Sequence, residues 1–196
     1  ADASDRVSIE DAGTSTLGNP IKVAVLTSPA NQANLDRLRE IARMIAKPGE
    51  LSAEESAALV DEGKVIALVT CSIHSTEVGS TQMVTEFVHE FATTDDPEKL
   101  AWMDDAVLLV MPSINPDGQI MVTEFYEKYL GTEYEGTSPP MLYHKYTGHD
   151  NNRDAIHNNM MESKMVSKVM YLDWNPQAYI DFHHMGSYGA RFYIAP

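Results

Sequence analysis

The stretch VIALVTCSIHSTE, residues 65–77, joins an apolar run typical of a buried strand to two chemically active side chains. His74 and Glu77 lie three residues apart just after the strand, so an imidazole and a carboxylate can reach one metal ion. Two His and one Glu, with water in the remaining position, form a common ligand set of hydrolytic zinc. By itself the pattern is weak, and a surface histidine followed by an acidic helix start explains it better.

A second polar cluster closes another apolar run. The tetrapeptide NPDG, residues 115–118, follows AVLLVM at residues 106–111. Asn, Pro, Asp and Gly each favour tight turns for their own backbone reason. The pattern predicts a strand-to-helix turn, whose main effect is to shape the floor of a site.

Two further polar clusters lie later in the chain. GHDNNRD, residues 148–154, has too few apolar residues to belong to a core. The planar guanidinium of Arg153 beside the amide of Asn152 is the donor set that recognition of a carboxylate requires. Taken alone, this cluster is better explained as a solvated polar loop. DFHH, residues 181–184, again follows a strand-like run, AYI at residues 178–180.

In this order, the four clusters resemble the motifs of the zinc carboxypeptidase family, the carboxypeptidase A-like metallocarboxypeptidases. That family carries His-x-x-Glu, Asn-Pro-Asp-Gly, Asp-x-Asn-Arg and then a strand that ends in a third ligand, His. The resemblance covers most of the chain from LGNPI, residues 17–21, onward. The neighbourhoods of residues 143–146 and 189–191 suggest a divergent bacterial branch. The chain then corresponds to the N-terminal portion of the catalytic domain.

The resemblance implies one zinc ion per chain. The implied ligands are His74, Glu77 and His183. The resemblance aligns His183 with the third ligand, and because successive strand side chains alternate, His184 cannot face the same side. Asp181 then points the same way as His183. Asp150 and Asp181 are the expected partners of the ligating imidazoles, which usually donate their second N–H to a carboxylate or carbonyl.

The resemblance also implies residues on the substrate side. Asn152 and Arg153 match the pair that binds the terminal carboxylate of the substrate, and Asp154 replaces a common Asn, which would make that pocket less positive. The family's oxyanion-stabilising Arg has no clear match. His144 or Lys145 lies in the right stretch to donate to an oxyanion, and a solvated loop residue is an equal alternative. The family's catalytic Glu lies downstream of the third ligand, so we expect it beyond residue 196.

Composition agrees with the soluble catalytic domain that the resemblance implies. With 196 residues, 43% hydrophobic and 22% charged, the chain can bury one sizeable core, and we expect a single domain over residues 1–196. A net charge of −15 argues against nucleic-acid binding. No apolar run approaches the length of a membrane span. Cys71 is the only cysteine, and we interpret it as a buried small hydrophobic residue.

Strand-like and helix-like segments alternate along the chain. Strands are expected at residues 21–27, 64–71 and 106–114, helices at 31–46 and 155–172, a long loop at 130–150, and a leader or extended segment at 1–16. The alternation predicts an α/β fold, a three-layer α/β/α sandwich with a mixed, mostly parallel sheet truncated at the C-terminus. Ligands of such sheets collect at the carboxyl ends of strands, where all three proposed metal ligands fall.

Three functions remain open from the sequence. The first is a metallocarboxypeptidase that hydrolyses the C-terminal peptide bond of peptides. The second is a zinc amidohydrolase or deacylase acting on small N-acyl amino acids or cell-wall peptides. The third is a catalytically incomplete zinc-binding module. Both enzymes would take a substrate with a free carboxylate, and we expect a secreted or periplasmic protein, with a cytoplasmic location as the alternative.

Overall fold

Five strands pair into one mixed sheet in the computed structural model, which describes residues 4–47, 49, 51–144 and 146–185. The strands are Val7–Thr14 (β1), Pro20–Leu26 (β2), Val65–Thr70 (β3), Ala106–Met111 (β4) and Ala178–Asp181 (β5). Their order in the sheet is β1-β2-β4-β3-β5. β2 is antiparallel to β1 and to β4, whereas β3 is parallel to β4 and to β5. The predicted mixed sheet is confirmed, but the expected majority of parallel pairings is not found, since the described strands make two parallel and two antiparallel pairings.

Helices cover both faces of this sheet. In the described residues the α-helices are Pro29–Gln32 (α1), Leu35–Ile45 (α2), Ala53–Glu62 (α3), Gly79–Thr93 (α4), Pro97–Asp105 (α5), Pro116–Tyr129 (α6), Asp154–His157 (α7) and Met161–Lys168 (α8). Local chemistry sets several of their starts. Ser52 and Glu55 form a capping box at the start of α3, and Pro97 follows the capping Asp96 at the start of α5.

Two apolar cores lie on opposite faces of the sheet, because strand side chains alternate between faces. The first core contains the strand residues Ile21, Val23, Val25, Ile66, Leu68, Val107 and Leu109. Leu38 and Ala42 of α2 and the buried Trp174 cover it. The second core contains Ala24, Leu26, Val69, Cys71 and Val110, which pack against Val84, Phe87 and Val88 of α4. The predicted three-layer α/β/α architecture is therefore confirmed.

Cys71 has the buried position that its sequence context predicts. Its side chain is fully buried in the second core, and burial raises the pKa of the thiol to about 11. A thiol with so high a pKa is protonated at neutral pH and is a poor nucleophile.

Part of the segment at residues 1–16, expected to be a leader or an extended segment, is an extended strand of the sheet, β1. Val7–Thr14 pairs along its length with β2, and Val7 and Ala12 are buried. The pairing shifts register between Asp11 and Gly13. Such an irregularity, together with charged residues, is common on edge strands and obscures their sequence pattern.

The single helix expected at residues 155–172 is also corrected. Helix α7 ends at His157 and is followed by Asn158, which adopts a left-handed conformation with φ of 51°, and α8 begins only at Met161. The buried Asp154 accepts hydrogen bonds from the backbone N–H groups of Asn159 and Met160, which stabilises this break. The described part of the loop at residues 130–150 contains no helix or strand, as the sequence predicts.

No helix in the described part of the chain combines the length and the apolar character needed to cross a membrane.

A buried carboxylate ties three distant segments together. Asp117, near the start of α6, accepts hydrogen bonds from the Ser15 hydroxyl, the Leu17 backbone N–H (2.8 Å) and the Asn19 amide (2.7 Å). The Tyr146 hydroxyl donates to the same carboxylate at 2.6 Å. Asp117 therefore holds the β1–β2 turn and the end of the long loop against α6.

These contacts favour the ionised form of Asp117. Burial raises the pKa of its carboxyl, but the hydrogen bonds from Ser15, Tyr146, Asn19 and the Leu17 N–H outweigh burial and hold the pKa below its ordinary value. The stabilisation that comes from ionisation is then fully present above the pKa of an unfolded Asp, about 3.9. It is lost as the pH falls from that value through the lower pKa of the folded state.

We therefore expect Asp117→Asn to destabilise the protein near neutral pH by about 1.5–3 kcal/mol, the usual contribution of hydrogen bonds to a charged group. The difference in unfolding free energy between the two proteins should shrink below about pH 4. Urea unfolding over a series of pH values measures both. The exposed Asp61→Asn serves as the control and should leave stability nearly unchanged at every pH. A destabilisation by Asp117→Asn that does not vary with pH would contradict the argument from charge.

Candidate metal centre

The chain leaves β3 through a sharp turn that presents His74 and Glu77 together. Ser72, two residues after the strand, is buried and has a φ of 60°, a left-handed conformation that is uncommon for residues other than glycine. A further turn follows, in which the backbone N–H of Glu77 donates to the carbonyl of His74 at 2.9 Å. Both side chains consequently lie on the same side of the turn.

Three side chains converge at this point. Nδ1 of His74 lies 2.8 Å from one carboxylate oxygen of Glu77, and Nδ1 of His183 lies 3.2 Å from the other. The two Nδ1 atoms are 3.2 Å apart. One ligand atom from each of the three residues therefore lies within 4.8 Å of the others, which is close enough for one metal ion to contact all three. These are the three residues that the sequence proposes as ligands.

A carboxylate lies behind each imidazole. Nε2 of His74 is 2.9 Å from Oδ1 of Asp150, and Nε2 of His183 is 2.8 Å from Oδ2 of Asp181. An ionised carboxylate only accepts hydrogen bonds, so each Nε2 carries the proton and donates it. In a neutral imidazole the Nδ1 atom then has a free lone pair that points into the cluster.

This arrangement of donor atoms fits a zinc ion. Two imidazole lone pairs and the Glu77 carboxylate face one another, which is unfavourable unless a proton or a cation lies between them. Burial lowers the pKa of His74, but its hydrogen bonds to Glu77 and Asp150 outweigh burial and leave the pKa above its ordinary value. A bound cation would relieve the same repulsion, and two imidazole nitrogens with one carboxylate oxygen are typical zinc ligands.

His184, the neighbour of His183, has a different position. Its side chain is exposed, and its Nε2 accepts a hydrogen bond from the backbone N–H of Gly79 at 3.0 Å. Its backbone N–H donates to the Glu77 carboxylate at 2.8 Å. His184 therefore supports Glu77 through its main chain, while its imidazole lies against the start of α4.

The floor of the site is the turn at residues 115–118, which has the predicted strand-to-helix form. The Asn115 side chain caps α6 by accepting from the Gly118 N–H, and its amide donates to the carbonyls of Ile73 and Tyr143. A Cβ at Gly118 would lie 2.4 Å from the Ser75 hydroxyl oxygen and 2.5 Å from the Tyr143 carbonyl. Only glycine allows this close approach, which brings Ser75, the residue after His74, and the backbone of Tyr143 against the start of α6.

The proposed carboxylate-binding pair lies at the rim of the cluster. The Asn152 amide nitrogen is 3.5 Å from Nε2 of His183, and the Arg153 side chain is exposed. The buried Asn151 anchors this segment because its amide donates to the Ile73 carbonyl at 2.6 Å. A cavity of about 400 Å³ opens beside Asn152 and Asp181.

Asp154 does not line that cavity. It is fully buried, and besides the two backbone N–H groups at the end of α7 it contacts Nε2 of His149 at 3.2 Å. Asp154 makes its hydrogen bonds in the interior of the protein. The structure therefore does not support the expectation that its charge makes the carboxylate pocket less positive.

The two residues considered as oxyanion donors have different outcomes. His144 is buried, so its interpretation as a solvated loop residue is wrong, and its Nδ1 has no hydrogen-bonding partner among the described residues. Burial lowers its pKa, and its ring meets Tyr143 edge-on at 4.7 Å. It is not part of the cluster of His74, Glu77 and His183. Lys145 lies outside the described residues, as do residues 189–191.

Sequence reasoning missed two polar side chains behind the site. The hydroxyl of Thr70, at the end of β3, donates to Asp181 at 2.6 Å and lies 2.9 Å from the hydroxyl of Tyr179. Both residues lie in strand-like runs, and nothing in the local pattern distinguishes them from core positions. The contact of Thr70 with Asp181 and Tyr179 can be predicted only when the parallel pairing of β3 with β5 is known.

Comparison with solved structures gives the same fold. A metallo-carboxypeptidase from Burkholderia cenocepacia matches with a TM-score of 0.58 at 15% identity, over 92% of this chain and 37% of that chain. Carboxypeptidase A from Helicoverpa armigera matches with a TM-score of 0.54 at 15% identity, over 93% and 42%. A metallo-carboxypeptidase from Pseudomonas aeruginosa, solved with (2-guanidinoethylmercapto)succinic acid, matches with a TM-score of 0.55 at 16% identity, over 90% and 35%. The chain thus spans less than half the length of these proteins.

The sequence comparison identifies the family. No curated protein sequence matches the chain significantly. The sequence profile of the zinc carboxypeptidases, however, matches residues 1–194, which is almost the whole chain. With the ordered motifs and the shared fold, this match shows that the chain belongs to the zinc carboxypeptidase family.

Proposed function

We propose that the protein is a zinc-dependent metallocarboxypeptidase that releases the C-terminal residue of peptides. The observation that carries the proposal is the convergence of two imidazole nitrogens and the Glu77 carboxylate beside Asn152, whose sequence neighbour Arg153 is exposed. Family membership supports a hydrolase that acts on peptides. Because the chain covers less than half of the matched structures, the activity of the whole protein is part of the proposal.

Each residue of the site has a chemical task in this proposal. His74, Glu77 and His183 would hold the zinc ion, which when bound activates water for attack on a carbonyl. Asp150 and Asp181 orient the two imidazoles and keep the proton on Nε2.

The substrate-binding residues determine which end of a peptide is cleaved. The Arg153 guanidinium is exposed and has the planar fork of donors that pairs with a carboxylate, and the Asn152 amide adds a donor next to His183. A free C-terminus held there would place the last peptide bond near the metal. The catalytic Glu expected beyond residue 196 stays a prediction, as does a secreted or periplasmic location.

The full-length protein should release the last amino acid from N-blocked dipeptides, and a zinc chelator should abolish the activity until zinc is added back. Amino-acid release, followed by derivatisation and chromatography, measures the reaction. C-terminally amidated dipeptides are the control and should be poor substrates. Hydrolysis of N-acyl amino acids without cleavage of dipeptides would instead support an amidohydrolase. Zinc binding with no hydrolysis of either class would support a non-catalytic module.

Metal analysis of the purified protein should find close to one zinc ion per chain. His183→Ala removes one of the three proposed ligands and should weaken zinc binding by at least about 100-fold. Loss of a group that only hydrogen-bonds to a ligand already weakens metal binding by about 10–100-fold. His184→Ala is the matched control and should retain tight binding, because the contact of His184 with Glu77 comes from its backbone. Competition with a chromophoric chelator gives both affinities. The reverse result would move the third ligand from residue 183 to 184.

Arg153→Ala should lower kcat/KM for peptides with a free C-terminus by about 10–100-fold, because a charge-assisted hydrogen bond contributes on the order of 1.5–3 kcal/mol. Arg153→Lys keeps the charge but loses the planar fork, so its activity should be intermediate. Steady-state kinetics on matched free and amidated peptides separate the roles. An equal loss on both substrates would assign Arg153 to the structure of the loop instead of to substrate binding.

A further inference from the structure

The hydroxyl of Thr70 occupies a buried position directly behind the metal centre. Thr70 is the last residue of β3, and its side chain has no exposure to solvent. The hydroxyl oxygen lies 2.6 Å from Oδ1 of Asp181 and 2.9 Å from the hydroxyl of Tyr179. The other oxygen of the Asp181 carboxylate faces His183.

The register of the sheet fixes this contact. Thr70 and Asp181 are direct partners in the parallel pairing of β3 with β5. Partners in register point to the same face, and Tyr179, two residues before Asp181, shares that face. The backbone N–H of Phe182 also donates to the Thr70 carbonyl at 3.0 Å, which holds the chain in place directly before His183.

The available protons fix the direction of the hydrogen bonds among Tyr179, Thr70 and Asp181. A hydroxyl has one proton, and the ionised Asp181 carboxylate can only accept. Thr70 therefore donates to Asp181 and accepts from Tyr179. Asp181 in turn accepts from Nε2 of His183, so the chain of hydrogen bonds runs from the strand interior to the imidazole.

Asp150 and Asp181, the two carboxylates behind the imidazoles, are anchored in different ways. Asp150 accepts a hydrogen bond from the backbone N–H of Asn152 at 2.9 Å, in addition to its contact with His74. Among the described residues, Asp181 has no backbone donor, and the Thr70 hydroxyl is the group that fixes its second oxygen. Thr70 thus does for Asp181 what the Asn152 backbone does for Asp150.

We infer that Thr70 is a positioning residue of the metal centre, which acts on the third ligand through Asp181. This inference rests on the proposed zinc site. The hydroxyl holds the Asp181 carboxylate in the orientation that accepts Nε2–H of His183. Without it, Asp181 can rotate, and His183 loses the partner that directs its Nδ1 lone pair toward the metal.

Thr70→Val tests the inference because valine has the same shape but no hydroxyl. The zinc dissociation constant of the full-length protein should rise about tenfold, at the low end of the 10–100-fold range for outer partners. Thr70→Ser keeps the hydroxyl and should restore the affinity of the unsubstituted protein. Competition with a chromophoric chelator measures zinc affinity, and thermal unfolding of the metal-free proteins measures stability separately.

Thr27→Val is the matched control for loss of a buried hydroxyl. Thr27 is also fully buried, and its hydroxyl donates to backbone carbonyls and accepts from Asn31, but it lies at the opposite end of the sheet, next to the start of β4. This variant should lose stability without losing zinc affinity. An equal loss of zinc affinity in both variants would overturn the inference, since a general loss of stability would then explain it.

A double substitution isolates the route through Asp181. If Thr70 acts through that carboxylate, Thr70→Val should have no further effect on zinc affinity in an Asp181→Ala background. Full additivity of the two substitutions, or unchanged affinity of Thr70→Val alone, would overturn the inference while leaving the zinc site intact. Failure of the unsubstituted protein to bind zinc would overturn the proposed function itself.

Discussion

Parallel pairing of β3 with β4 and β5 is the constraint on which the candidate metal centre depends. Thr70 pairs with Met111 on one side and with Asp181 on the other, so the three strands end at the same level of the sheet. The segments that follow them therefore begin side by side. His74 and Glu77 come from the first, the turn at residues 115–118 from the second and His183 from the third. β2 is antiparallel to β4, and its carboxyl end lies at the opposite edge.

The excess of carboxylates at this edge of the sheet favours a bound cation. Three carboxylates, Glu77, Asp150 and Asp181, surround two imidazoles in a chain whose net charge is already −15. Each outer carboxylate uses its charge to hold an Nε2 proton, and Glu77 remains to face the two Nδ1 lone pairs. A dication at the centre would reduce the formal charge of the three carboxylates from −3 to −1, whereas a single proton would reduce it only to −2. The side-chain amides of Asn115 and Asn151 hold the turns around the proposed ligands, because both donate to the Ile73 carbonyl.

Local sequence patterns predict those parts of this site that local chemistry determines. Strand ends and the turn at residues 115–118 follow from apolar runs that stop at polar clusters, whereas the choice of the three proposed ligands also needs the resemblance to the family. The local sequence pattern does not predict contacts between distant segments. The edge strand Val7–Thr14 contains charged residues and has an irregular register. The helix break at Asn158 requires the buried Asp154. The sequence around Thr70 is that of an ordinary strand. Each depends on a tertiary partner that the sequence does not identify by itself.

The two imidazoles are positioned by different levels of structure. Sheet register fixes the His183 side, since Asp181 lies in β5 and Thr70 in β3. The His74 side depends on a loop instead, because Asp150 lies between two tethers, the Tyr146 hydroxyl on Asp117 and the Asn151 amide on the Ile73 carbonyl. Sheet pairing is cooperative and rigid, whereas a tethered loop can open locally at a lower free energy. Motion at the metal centre should therefore begin at the Asp150 partner of His74, on the same loop that carries the proposed carboxylate-binding residues.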